Sequence, residues 1–314
     1  MLKLAAQRLV ALVPLLFIVS LLTFSITDLL PGNPAELIVG DDATQEQVDL
    51  VHERLGLDQP WPQRYWDWLT NALGGDLGTS FFNSVEVTDA VLLRLPVTLS
   101  LTLAAVVVAL FIGIGAGLIA ALRPGGWTDR AATAGATVGQ ALPNFWLALI
   151  LAVVFAVKIR WFPATGYTPL TESPGAWLRS ITLPAIALGV GAAAILARQT
   201  RSAMVGVLQT DYVRAARAQG LSARRVVLKH ALKNAMLPVV TVLAFQVTVL
   251  LGGAIIVEQV FAVNGLGSLA VTAVRRQDVP LVQGVVIISV IVVVLVQLAT
   301  DLLYGYLNPK ARPS

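Results

Sequence analysis

Few side chains in this sequence are of the kinds that carry out reactions. Cysteine is absent, and the two histidines, His52 and His230, lie far apart. A thiol nucleophile and a thiolate metal site are therefore excluded, and a His-rich zinc site has no cluster to build on. No Gly-x-x-x-x-Gly-Lys-Ser/Thr run occurs, nor a Gly-Lys pair of any kind. The chain thus has no P-loop and cannot hydrolyse ATP by that route. Gly189-x-Gly191-x-x-Ala194 has the spacing of a dinucleotide loop, but it sits inside a long apolar stretch. Close helix packing is the better reading there, as it is for Gly113-x-x-x-Gly117. What remains are Gln140, Asn144, Gln246 and Gln297 within apolar stretches, and Glu258 at the end of one. Such groups can bond one helix to another or line the path of a polar solute. The residues alone leave both readings open.

A second group is cationic. The stretch from Asp211 to Arg225 holds Arg214, Arg217, Arg224 and Arg225, with Gly220 and Ser222 between the pairs. Gly220 suits a left-handed helix stop, and Ser222 suits the N-cap of the next helix. That next helix is expected to place Arg225, Lys229 and Lys233 on one face and Leu228, Leu232 and Ala235 on another, running into an apolar segment at Pro238. A basic face of this kind can rest on anionic lipid or dock a partner.

The elements that must carry these groups follow from composition. Of 314 residues, 56% are hydrophobic and 13% charged, and mean hydropathy is +0.77. Globular chains carry about 45–50% apolar and about 25% charged residues. There is too little charge here to coat a water-soluble surface, which also excludes a disordered chain. A membrane span needs about 20 apolar residues to cross a core of ~30 Å. Six charge-free windows meet or nearly meet this, and they predict spans at 9–30, 95–122, 131–157, 180–200, 235–258 and 279–303. The fold class is an all-α polytopic membrane protein. The first window is expected to be a span and not a signal peptide, since it is long, carries Pro14 and has no small-x-small cleavage site before Asp28. A seventh stretch, Gln259 to Val274, is interrupted by Asn264, Gly265, Gly267 and Ser268, and is expected to form a turn and a short re-entrant or interfacial helix.

Orientation follows from Lys and Arg in the connections. With a cytoplasmic N-terminus, fourteen basic residues fall inside and five outside, leaving aside the long first loop. This places residues 1–8, the loop 201–234 and residues 304–314 in the cytoplasm, and 31–94, 158–179 and 259–278 outside. The net charge of +4 and pI near 9.6 therefore reflect membrane topology and not nucleic-acid binding. The first external region is acidic and carries helix signals: a capping box at Thr44-Gln45-Glu46-Gln47 with Val48, Val51 and Leu55 on one face and Gly56 as a stop, and an aromatic run from Trp61 to Trp68. It is expected to be a cap on the outer membrane surface or a docking element for a partner.

Arg214-Ala215-Ala216-Arg217-Ala218-Gln219-Gly220, followed by His230-Ala231-Leu232-Lys233-Asn234-Ala235 and Leu237-Pro238, resembles the EAA loop of ABC importer permeases, in the version of the dipeptide and oligopeptide subfamily. The opening Leu29-Leu30-Pro31-Gly32-Asn33-Pro34-Ala35 is similar to that of its B-type permease. So are Leu55-Gly56-Leu57-Asp58-Gln59-Pro60, Gly75-Asp76-Leu77-Gly78-Thr79-Ser80, Gly265-Leu266-Gly267, and the run Asp278-Val279-Pro280-Leu281-Val282-Gln283-Gly284. The resemblance covers nearly the whole chain. Arg214 stands where the general EAA pattern has Glu, and Asn264 where relatives often have Pro.

The resemblance implies a type I ABC importer permease fold with six spans and both termini cytoplasmic. It implies a bacterial cytoplasmic membrane location and a lipid bilayer as surroundings. It implies partners: a homologous C-type permease in a pseudo-twofold heterodimer, two ATPase subunits or a fused or heterodimeric pair, and an extracytoplasmic peptide-binding protein. ATP and Mg would be bound by the ATPases, with no cofactor in this chain and no catalytic residue. Tyr212, Arg214, Ala215, Ala216, Arg217, Gly220, Leu221 and Arg224 would couple to the ATPase, while Gln140, Asn144, Gln246, Glu258 and Gln297 are candidates for the translocation path. Glu258 could otherwise pair with Arg275 or Arg276. Relatives divide among dipeptides, longer peptides, haem, nickel chelates and glutathione as cargo. A secondary transporter usually needs ionisable residues within its spans, an intramembrane hydrolase needs a nucleophile with a base or metal, and neither pattern is present.

Overall fold

A computed structural model describes residues 2–29, 34–40, 44–54 and 56–307. Leu30-Pro31-Gly32-Asn33 of the opening motif, Leu55 and the C-terminal residues 308–314 lie outside the described residues. In chain order the helices are α1 (Leu2–Leu29), α2 (Pro34–Val39), α3 (Gln45–Arg54), α4 (Trp61–Leu73), α5 (Val87–Leu122), α6 (Trp127–Ala141) and α7 (Asn144–Leu151). They continue as α8 (Pro174–Leu208), α9 (Asp211–Ala218), α10 (Ala223–Arg225), α11 (Leu232–Val260), α12 (Leu266–Arg275) and α13 (Val279–Leu307). Two π-helical segments, Ala152–Lys158 and Val226–Ala231, continue α7 and join α10 to α11. Among the described residues there is no strand, only the isolated bridge Thr79–Glu86.

Among the described residues, four helices can cross a membrane by length and composition: Val87–Leu122, Pro174–Leu208, Ala223–Val260 and Val279–Thr300. The window expected as one span at 131–157 is instead two helices, α6 and α7 with its π-helical continuation, bent by 100°. Counting that pair as one broken span gives five. The cause of the break is local. Pro143 has no N–H to donate and forces Leu142 before it into an extended conformation (ψ 123). Within α1 the apolar stretch Val10–Ser25 is a shorter helix by the same measure.

The chain forms two compact units. One comprises Met1–Ala5, Val97–Val263 and Leu295–Ser314. Its centre is α8, whose apolar window is 72% buried. The buried face of α8 is made largely of small residues, among them Ala185, Ala187, Gly189, Ala192, Ala193 and Ala197. In lipid there is little hydrophobic drive between helices, so close backbone approach and packing must supply association. The approach is close where expected. A Cβ on Gly113 would lie 2.7 Å from the Leu196 Cβ, and one on Gly189 would lie 2.7 Å from the Ala105 carbonyl. Ser173 caps α8 by accepting from the Ala176 amide at 3.3 Å, with Pro174 in the first turn.

The other unit comprises Ala6–Pro96 and Asn264–Val294. The Thr44 capping box is partly realised, with the Thr44 amide donating to Gln47 Oε1 at 3.0 Å. On α4, Tyr65 is buried, its hydroxyl 2.9 Å from Ser20 Oγ, and its ring stacks on Trp61 and meets Phe24 edge-on. The Gly75–Ser80 motif closes on the start of α13. Ser80 Oγ donates to Asp278 at 2.5 Å, and the Phe81 amide donates to its other oxygen at 3.3 Å. Leu77, Val87, Val91, Leu266, Leu269 and Leu281 form the apolar core beneath.

Candidate coupling surface

Helix α9 is short and strongly two-sided. Val213 and Ala216 are buried with Val226, against Val207, Leu208 and Leu221. Tyr212, Arg214, Ala215, Arg217 and Ala218 are exposed. The helix ends in a doubly bonded left-handed turn. Gly220 has φ +81, its amide donates to the Arg217 carbonyl at 3.0 Å, and the Leu221 amide donates to the Ala216 carbonyl at 3.3 Å. This is the Schellman arrangement, and the half-buried Leu221 provides its apolar contact. The turn therefore satisfies the last carbonyls of α9 while reversing the chain into α10.

Of the residues expected to face an ATPase, this geometry brings Tyr212, Arg214, Ala215, Arg217, Gly220 and Arg224 to the surface. Ala216 points inward and Leu221 is half-buried, so these two shape the loop from beneath. The Tyr212 hydroxyl accepts from Asn234 Nδ2 at 2.7 Å, tying α9 to the start of α11. Arg214 Nη2 donates to the Gln209 carbonyl at 3.0 Å and Nη1 lies 3.5 Å from Asp211. Ser222 occupies the N-cap position with extended backbone, but its side chain makes no capping bond. The helix beyond is not the regular one expected, because Val226–Ala231 widens into a π turn.

The polar residues expected along a path divide in the structure. Gln140 is exposed at the end of α6 and accepts from Arg198 Nη2. Asn144 opens α7 just after the bend. Its amide lies between two glycines, its oxygen 3.6 Å from a Cβ built on Gly191 and its nitrogen 3.5 Å from one on Gly253. Gln246 is buried within α11, and Gln297 is half-buried in α13. Glu258 is fully buried, and accepts from the Thr98 hydroxyl at 2.6 Å.

One charged site was not anticipated from the sequence. Arg201 of α8 donates through Nε and Nη2 to the two carboxylate oxygens of Asp129, in the first turn of α6 and ahead of the charge-free window. The Gly125 amide adds a third donor at 2.8 Å. These hydrogen bonds, the guanidinium first and the amide second, hold the Asp129 carboxyl well below the usual carboxylate range. The pair is thus ionised at neutral pH and pins α6 to α8. The signal available in the sequence was an acid set between Arg123 and Arg130, opposite Arg198 and Arg201.

Two families together match all of the chain but residues 103–112 and 314. "Binding-protein-dependent transport system inner membrane component" matches residues 113–313, and the N-terminal family of membrane components of such systems matches residues 1–102. A protein of Brucella abortus (strain 2308), provisionally named a peptide transport system permease protein, is 41% identical over 312 residues, 99% of each chain. The glutathione transport system permease protein GsiC of Escherichia coli (strain K12) is 42% identical, again over 312 residues and 99% of each chain. A chain from an inward-facing structure of the MetNI methionine ABC transporter superposes with a TM-score of 0.55 at 21% identity, covering 69% of this chain and 95% of that one. At that identity the likeness is one of fold.

Proposed function

The chain belongs to the family of binding-protein-dependent transport system inner membrane components, and on that premise we propose that it is the B-type permease subunit of a bacterial ABC importer for peptides. It forms half of the path through the cytoplasmic membrane and pairs with a homologous C-type permease. Two ATPase subunits, or a fused or heterodimeric pair, bind ATP and Mg and dock below, and an extracytoplasmic binding protein delivers cargo from above. The observation that carries this reading is the end-to-end match at 41–42% identity to permeases of peptide and glutathione systems. The GsiC relative favours a second cargo, glutathione, itself a tripeptide.

The coupling role falls to the surface of α9. An ATP-driven change can reach the membrane only through contacts that differ between states. Exposed small residues such as Ala215 and Ala218 let a partner backbone approach, and Arg217 and Arg224 reach carboxylates at the rim of its groove. Gln140, Asn144, Gln246, Glu258 and Gln297 remain candidates for the path, where weak polar contacts let cargo pass without trapping it. The topology proposed has six spans, the first at 9–30, with both termini cytoplasmic.

The deciding experiment is reconstitution with the second permease, the ATPases and the binding protein, followed by identification of the ligand that drives uptake. Purified alone, this chain is expected to show no ATP hydrolysis; activity that survives rigorous purification would end the permease reading. Topology has its own test. The chain has no cysteine, so single engineered ones are clean reporters. Asn83→Cys is expected to react with an impermeant thiol reagent added outside and Ser222→Cys to be protected. The opposite pattern would reverse the orientation.

A further inference from the structure

Residues Ala223 to Val260 run as one helical rod through the π turn. Its exposed stripe changes chemistry part-way. Arg225, Lys229 and Lys233 are exposed in the first eleven residues, with the exposed Leu228 beside them. From Asn234 the rod carries no charge until Glu258, and its exposed residues there are Asn234, Pro238, Thr241, Phe245, Val249, Gly252 and Ile256. Among the described residues, none of the three cations has an acidic group within ion-pair distance. The stripe begins next to Arg224 and ends next to Asn234, whose Nδ2 donates to the Tyr212 hydroxyl of α9.

With the apolar part of the rod read as a membrane span, the three cations at its mouth stand at the level where phospholipid headgroups end and acyl chains begin. An α-helix rises about 1.5 Å per residue, so Arg225 to Lys233 spans roughly 12 Å. Long stems let the cations reach the headgroup layer, about 5–7 Å thick on each side of the core. We propose that Arg225, Lys229 and Lys233, with Leu228 inserted between headgroups, form a binding surface for anionic phospholipid of the cytoplasmic leaflet. Lipid held there fixes the depth of α11, and with it the height at which α9 is presented. The proposal rests on the reading of α11 as a membrane span.

The test uses the purified full chain in lipid discs of equal parts phosphatidylglycerol and phosphatidylcholine, with spin-labelled lipids reporting which is immobilised. One basic residue near an anionic surface is worth about a fivefold gain in association. The unaltered chain is expected to prefer phosphatidylglycerol by about fivefold or more, and less so as salt rises from about 0.05 M to about 1 M. Arg225→Gln, Lys229→Gln and Lys233→Gln together should bring the preference close to one. A charge-keeping variant, Arg225→Lys with Lys229→Arg and Lys233→Arg, should retain it. Unchanged preference in the neutral variant overturns the proposal. If that variant keeps its lipid preference and instead fails to assemble with ATPase subunits, the stripe is a protein contact. Both leaflets of the disc hold the same lipid, so the result is independent of orientation, which the cysteine labelling tests separately.

Discussion

Gly220→Val is expected to leave the chain inserted at normal abundance and to reduce uptake strongly. Gly220 sits at φ +81 with nothing within 4 Å of the place a Cβ would take. The penalty is therefore one of backbone conformation and not of crowding. A β-branched residue in the left-handed region costs roughly 1–2 kcal/mol or more. A penalty of that size shifts a local equilibrium by about 5–30-fold. The two turn bonds from Gly220 and Leu221 would be lost, and Arg217 would leave its place at the surface. In the assembled importer, ATP hydrolysis should respond only weakly to loaded binding protein. Gly220→Asn is the control, since Asn tolerates left-handed φ, and should recover most of the uptake. Near-normal uptake by the valine variant would mean that this turn does not transmit the ATPase cycle.

The largest effect on folding is expected at Gly117. A Cβ there would lie 2.5 Å from the Ala197 carbonyl oxygen and 2.6 Å from the Thr200 Cβ, both on α8. Neither is the far end of a flexible side chain, so the helices themselves must separate. Overpacking costs typically about 1–3 kcal/mol, and Gly117→Val should fall at or above the top of that range. The expected result is a sharp drop in steady-state level and a lowered melting temperature in detergent. Gly115→Val, two residues away with nothing within 4 Å of its Cβ position, should behave like the unaltered chain. Equal melting temperatures for the two variants would show that α5 and α8 do not meet as closely as described.

The parts of the fold legible in the sequence are those that one residue type reports alone. Absence of charge marks the middle stretches of α5, α8, α11 and α13, because lipid penalises charge wherever it falls. The stop at Gly220 is legible because only glycine enters the left-handed region freely. The bend at Pro143 was hidden inside a charge-free window, since hydropathy says nothing of direction. The π turn at Val226–Ala231 leaves no side-chain signature, as the extra residue per turn is a backbone matter. Ala215 and Ala216 look alike in sequence, and only the packing of Val213 on Val226 decides that Ala216 turns inward. The ion pair of Arg201 with Asp129 joins residues 72 positions apart, a relation that no local pattern carries.

The two-sidedness of α9 has a consequence for how such a subunit changes over time. Its inner face, Val213 and Ala216 closed by the turn at Gly220, holds the loop together without help from the side chains of Ala215, Arg217 or Ala218. Substitutions on the outer face therefore cost little folding free energy, since exposed positions away from caps and cores usually shift stability by about 0.5 kcal/mol or less. Fit to a partner can drift there, one residue at a time, while the scaffold stays constant. Duplicated transport systems in one cell could diverge in which motor subunits they accept by changing only these outward residues.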